Sequence, residues 1–218
     1  MNVGNNEIES AVQLSHAVRS RASPDVLEEF LRRAPLAAKN TALLSGILEN
    51  YPEAVQLSKF AGADPSGKLP KDVKFMDAFV TQTLQKKADI FFQVLFSHFI
   101  IENDVLERAV EIALSCKNYE FIKYLIDTKE DVWNLTVYVE KFPLLHMLIL
   151  HKKVELASQL VSKASSYEEM VPIGMKDPFS VACELEMESL ATEIHLKQQE
   201  LLIKEGKLHP DHINQNLI

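Results

Sequence analysis

Glu53-Ala54-Val55-Gln56-Leu57-Ser58-Lys59-Phe60-Ala61-Gly62-Ala63-Asp64 is the stretch whose reading decides the fold. Its apolar residues recur at helical spacing, and a Gly just past the last turn accepts the left-handed backbone that ends a helix. The chain then turns outward, because Asp64 to Asp72 carries two Pro and one Gly and reads as a long loop. Upstream of it lies the apolar stretch Thr41-Ala42-Leu43-Leu44-Ser45-Gly46-Ile47.

The ending Ala61-Gly62-Ala63-Asp64, at its offset from Glu53, resembles the second half of an ankyrin repeat, where a helix of the pattern E-V-V-K-L-L-L closes on A-G-A-D. Thr41 to Ile47 stands where that family has T-P-L-H-x-A-A. The resemblance recurs at Arg108 to Leu114 with Glu120 to Ile126, at Pro143 to Ile149 with Val154 to Leu160, and at Asp177 to Cys183 with Ser189 to Ala191. Weaker copies run from Leu14 to Leu31 and from Asp77 to Val94. The expected starts of the second helices are Asp25, Glu53, Asp89, Glu120, Glu155 and Ser189, at intervals of 28, 36, 31, 35 and 34 residues. These scatter around the ~33 of ankyrin repeats.

The resemblance implies an all-α solenoid of about six stacked helix-turn-helix repeats over residues 9–196. Residues 1–8 read as a flexible tail and 197–218 as a capping helix and tail. The family's glycines between paired helices are mostly missing, replaced by Lys117 and Lys152 among others, and the full T-P-L-H tetrad never occurs. Another helical-hairpin solenoid fits the same spacing. Val55, Leu57, Phe121, Ile122, Leu125, Leu156, Leu160 and Leu190 are expected to face the core between repeats. His146 fills the family's histidine position, which implies an imidazole bonded to the backbone of the neighbouring loop.

Composition agrees with a helical chain that can bury a sizeable core: 218 residues, 47% hydrophobic, with only 6 Gly and 9 Pro. A net charge of -8 opposes a phosphate backbone, and Arg19, Arg21, Arg32 and Arg33 are interleaved with Asp25, Glu28 and Glu29, so no nucleic-acid partner is expected. Met1 to Glu7 has neither the basic nor the apolar part of a signal peptide, and no apolar run approaches the ~20 residues that span a bilayer. The expectation is a reduced, intracellular setting, cytoplasmic and also nuclear, with Cys116 and Cys183 as free thiols and no membrane insertion.

Motifs that would carry chemistry fail on their own requirements. Gly62 to Lys68 has the spacing of a phosphate loop, but Leu69-Pro70 follows the Lys where a hydroxyl and a helix are needed. His209-Pro210-Asp211-His212 lacks the further ligands of a tetrahedral metal site. Glu184, Glu186 and Glu188 read as a solvated helix face. The chain is therefore expected to have no enzymatic activity, cofactor or metal.

The expectation is a protein-binding module, an adaptor or regulatory subunit, whose partner is another protein. The resemblance implies binding on the concave face formed by the first helices and hairpin tips. Near the ends of those helices Leu48, Leu84, Ile112, Met147 and Leu150 would form an apolar stripe bordered by His151, or, in a register one residue off, would be core; Trp133 would be an exposed anchor or pack against the adjacent loop. A dedicated chaperone of an unassembled subunit would use the same stripe, and a microbial effector binding host proteins is the other reading.

Overall fold

Proline and left-handed turns set where the helices start and stop. The computed structural model describes residues 3–84, 88–129, 132, 136–137 and 142–208. In order, the helices are α1 Val3–Arg19, α2 Pro24–Arg33, α3 Leu36–Leu48, α4 Pro52–Phe60, α5 Phe75–Thr83, α6 Ala88–His98, α7 Asn103–Cys116 and α8 Tyr119–Thr128. Then follow α9 Leu144–Leu150, α10 Val154–Ser162, α11 Tyr167–Met170, α12 Pro178–Glu184 and α13 Glu188–Lys204. Among the described residues the regular structure is helical apart from a two-residue antiparallel ladder, β1 Thr136–Val137 with β2 Phe142–Pro143, and a single bridge between Lys68 and Lys74; a 3-10 turn lies at Pro70–Asp72.

Pro24, Pro52 and Pro178 each open a helix at its first turn, where a missing N–H costs nothing. Asp25, Glu53, Asp89, Glu120, Glu155 and Ser189 all stand at the second position of their helices. An acidic side chain there opposes the positive end of the helix dipole. Between paired helices one residue repeatedly goes left-handed: Arg21 (φ 51°), Asn50 (47°), Lys117 (60°), Lys152 (54°) and Glu186 (59°). The residue after each donates its amide to the carbonyl five positions back, Ala22 to Ala17, Tyr51 to Gly46, Asn118 to Ala113, Lys153 to Leu148 and Met187 to Ala182, at 2.8–2.9 Å. This is the six-to-one bond of a Schellman turn, made here without glycine. Gly62, at φ 91°, ends α4 where the sequence places it.

The chain divides into two compact units, residues 1–124 and 125–218. In the first, α1 packs on α2 and α3, α2 on α4, α3 on α4 and α5, and α5 on α7. Gly46 lets α3 approach α4 closely, since a Cβ there would sit 3.2 Å from both Cγ2 and N of Val55. Phe75, Phe79, Phe92 and Phe121 are fully buried and meet in sequence, with ring centroids 6.3, 5.7 and 5.2 Å apart. Each such ring contributes about 2–3 kcal/mol by burial, and each edge contact adds about 1 kcal/mol.

In the second unit, α9 packs on α10 and α12, α10 and α12 both pack on α13, and α13 also covers α11. Ser166 and Glu169 form a reciprocal capping box that starts α11. Glu205 accepts from Tyr167 N at 2.7 Å and pairs with Lys207 at 2.8 Å. The Lys207 ammonium first, and the Tyr167 amide next, hold the Glu205 carboxyl below its ordinary value.

Val55, Phe121, Ile122, Leu125, Leu160 and Leu190 are buried as expected, but Leu57 and Leu156 are only half-buried. Ala54, Ser58, Ala157 and Val161 take the inner positions instead. Residues 3–8, expected as a tail, are the first turns of α1, and the expected boundary at 196/197 falls inside α13.

Candidate functional site

The side chains of α1 have two apolar faces. Leu14, Ala17 and Val18 are buried inside the hairpin, while Ile8, Ala11, Val12, Ser15 and Arg19 recur at spacings of three and four along another side. That second side faces α3, where Ser15 and Ser45 are hydrogen-bonded through their hydroxyls at 3.1 Å. Together the two helices floor a groove of about 330 Å³, lined by Ile8, Val12, Leu44 and Leu48. Leu69, Pro70 and Lys71 form its wall, and Arg19, Glu49 and Gln82 lie at its edges.

The wall is held by one buried amide. Asn40, fully inaccessible on α3, accepts from Asp64 N at 2.7 Å and donates from Nδ2 to Lys68 O at 2.9 Å. Gly67 is required by this arrangement, because a Cβ there would lie 2.9 Å from Asn40 Nδ2 and 3.2 Å from Asp64 O. Further on, Leu69 N donates to Val73 O at 2.7 Å, and Lys68 Nζ pairs with Asp72 at 3.0 Å. Lys71 (φ 65°) and Asp72 (φ 59°) are consecutive left-handed residues without being glycine. Each costs about 1–2 kcal/mol, so the tethers on either side hold a strained turn against the groove. The phosphate-loop spacing thus has another use: the amide of Asp64 bonds to Asn40, and Lys68 bonds to Asp72.

A second cross-helix tie lies on the same unit. Arg108 of α7 reaches Asp77 of α5 at 3.7 Å and also bonds Glu111. The hydrogen bond that Arg108 donates to Glu111, with the Glu111 and Asp77 charges adding to it, raises the guanidinium pKa above its ordinary value. Asn118 is the buried counterpart of Asn40, donating to Val80 O at 2.8 Å and Thr83 Oγ1 at 3.1 Å and accepting from Phe121 N at 3.3 Å.

Of the residues expected at a partner surface, Leu48 lines the groove and is half-buried. Leu84, just past α5, is 43% exposed, and Ile112 on α7 is half-buried. In the second unit Leu150 is 45% exposed and His151 half-buried, whereas Met147 is buried at 7%. Met147 therefore drops out of an accessible stripe. The physical reason is that Leu144 to Ile149 are all buried, with α9 enclosed by β2, α10 and α12. Trp133 and the His209 to His212 segment lie outside the described residues.

Ile8, Val12 and the Leu69 to Lys71 wall are groove residues that the sequence reading missed. The double apolar face of α1 is the signal that could have found the first two. His146 is placed as its motif implies: Nε2 bonds Lys176 O at 2.6 Å, in the loop before α12, and the ring stacks on Phe142. Among the described residues there is no cluster of three or more metal-type side chains, and no helix is long and apolar enough to cross a membrane. Comparison of the chain with family models, with curated proteins and with solved structures finds no match.

Proposed function

We propose that the chain is a non-enzymatic protein-interaction module of ankyrin type, an adaptor or regulatory subunit that takes an apolar segment of another protein into the groove over α1 and α3. The groove itself carries this reading: first helices for a floor, an outward loop for a wall, and exposed Ile8 and Val12 beside half-buried Leu48. Apolar side chains left open beside a strained, tethered loop are what a binding surface needs and what folding alone does not. The repeated left-handed turn, the common second-position marker and the His146 bond to the next loop support the ankyrin-type stack.

The test compares affinity purification of the tagged chain with that of Ile8→Asp and Leu48→Asp, each checked for an unchanged helical spectrum. A protein retained by the native chain and lost from both folded variants supports the groove. Retention of every partner by both variants overturns it.

A further inference from the structure

The α1–α2 hairpin is covered on one side only. Leu14, Leu27 and Leu31 face a core shared with Ala38, Ala42 and Ala54 of the next hairpin. Its other flank holds a crevice of about 460 Å³ between α1 and α2, lined by Val12, Ala17, Ala22, Val26, Phe30 and the polar His16 among others. Val12 is 63% exposed, Val26 44% and Phe30 42%, so three large apolar side chains stand open on one face. Glu29 and Arg33 border Phe30 at the seam with α1.

The charges of α2 indicate what would cover this face. Along the helix Asp25, Glu28 and Glu29 come first and Arg32 and Arg33 last. A sequence that reads acid then base is self-complementary when two copies run antiparallel, and that orientation also opposes the two helix dipoles. Parallel alignment would set acid against acid. We propose that a second copy of this chain docks on the crevice about a two-fold axis, with α2 antiparallel to α2, Phe30 beside the axis, Val26 one turn further out, and Glu29 of one copy against Arg33 of the other.

Arg33 and Glu29 pair within one helix at 2.9 Å, with side chains 82% and 47% exposed. Such exposed pairs are weak, so exchanging partners across a two-fold costs little. Size sets the strength. Helices of 17 and 10 residues lying side by side offer a footprint of roughly 400 Å², about half the ~800 Å² per partner of a standard interface. The dimer should therefore be weak and concentration-dependent, with a dissociation constant in the micromolar range. It shares Val12 with the groove but does not rest on it: Val26 and Phe30 line the crevice and not the groove.

Sedimentation equilibrium of the full chain from the low-micromolar to the sub-millimolar range tests this. The expected result is a mass rising from 24.7 kDa toward twice that value, with Phe30→Asp and Val26→Asp monomeric throughout and Leu48→Asp unchanged. Glu29→Arg alone and Arg33→Glu alone should each self-associate at least tenfold more weakly. Their equimolar mixture should recover association, because both cross-copy pairs become opposite in sign again. A monomer mass at all concentrations, a dimer indifferent to Phe30→Asp and Val26→Asp, or a mixture no tighter than either charge variant overturns the proposal.

Discussion

Asn40 and His146 solve the same problem in the two units of the chain with different chemistry. Each is a buried polar side chain on the first helix of a hairpin, and each tethers the loop that leads into the next hairpin. Asn40 uses both ends of its amide, so the loop is gripped at Asp64 and again at Lys68. His146 makes one bond, to Lys176 O, and its Nδ1 is buried without a partner among the described residues. Two grips fix a loop's orientation, and one fixes only its distance. That difference explains why the strained Lys71-Asp72 turn can persist in the first unit and why the loop there can serve as a wall.

Breaking the double tether should have the largest effect. Asn40→Ala removes two hydrogen bonds and opens a small cavity, at a cost of about 2–4 kcal/mol. Hydrogen exchange of the amides from residue 64 to 75 reads this within the first unit. Protection at Leu69 and Phe75, which donate to Val73 O and Gly67 O, should fall together. Unchanged protection there would show that the loop holds itself. Gly67→Ala should cost about 1–3 kcal/mol by pushing on Asn40. In an Asn40→Ala background that cost should shrink, because the atom it meets at 2.9 Å has gone.

Local signals explain what the sequence revealed. Pro24, Pro52 and Pro178, together with the acidic or small residue at the second position, mark helix starts by purely local physics, and all six markers fall at one place in their helices. The histidine tether was expected only through the resemblance of Pro143 to Ile149 to a repeat motif. The groove was not, since its wall depends on Asn40 bonding to residues 24 and 28 positions away, and no local period records such a bond. Met147 shows the converse difficulty. Helical spacing tells which residues share a face, but α9 is short and enclosed on several sides, so nearly every face of it is an inner one.

A single tether should give a smaller effect. His146→Leu keeps bulk near Phe142 while removing the bond to Lys176 O, and it also removes the unmatched Nδ1. The two changes partly offset each other, leaving a loss of about 1 kcal/mol or less, read as an increase in exchange at the amides of the loop before α12. A loss as large as that for Asn40→Ala would mean that the ring's packing, and not the number of bonds, sets the tether's strength.

The smallest effect carries opposite sign and sharpens the comparison at the turns. Lys117 and Lys152 hold the left-handed position between paired helices, and Asn50 holds the same position after α3. A lysine gains nothing locally from φ near 60°, whereas an asparagine is the non-glycine residue that visits this region most readily. Lys152→Gly should therefore stabilise by about 0.5–1 kcal/mol, raising the melting temperature by roughly 1–4 °C. Asn50→Gly should change it by less than about 0.5 kcal/mol, since relief of strain and added chain entropy nearly cancel there. Equal gains at both positions would show that the turns are strained by packing around them. A gain at Lys152 alone would show that the residue held at the turn, and not the packing around it, sets its cost.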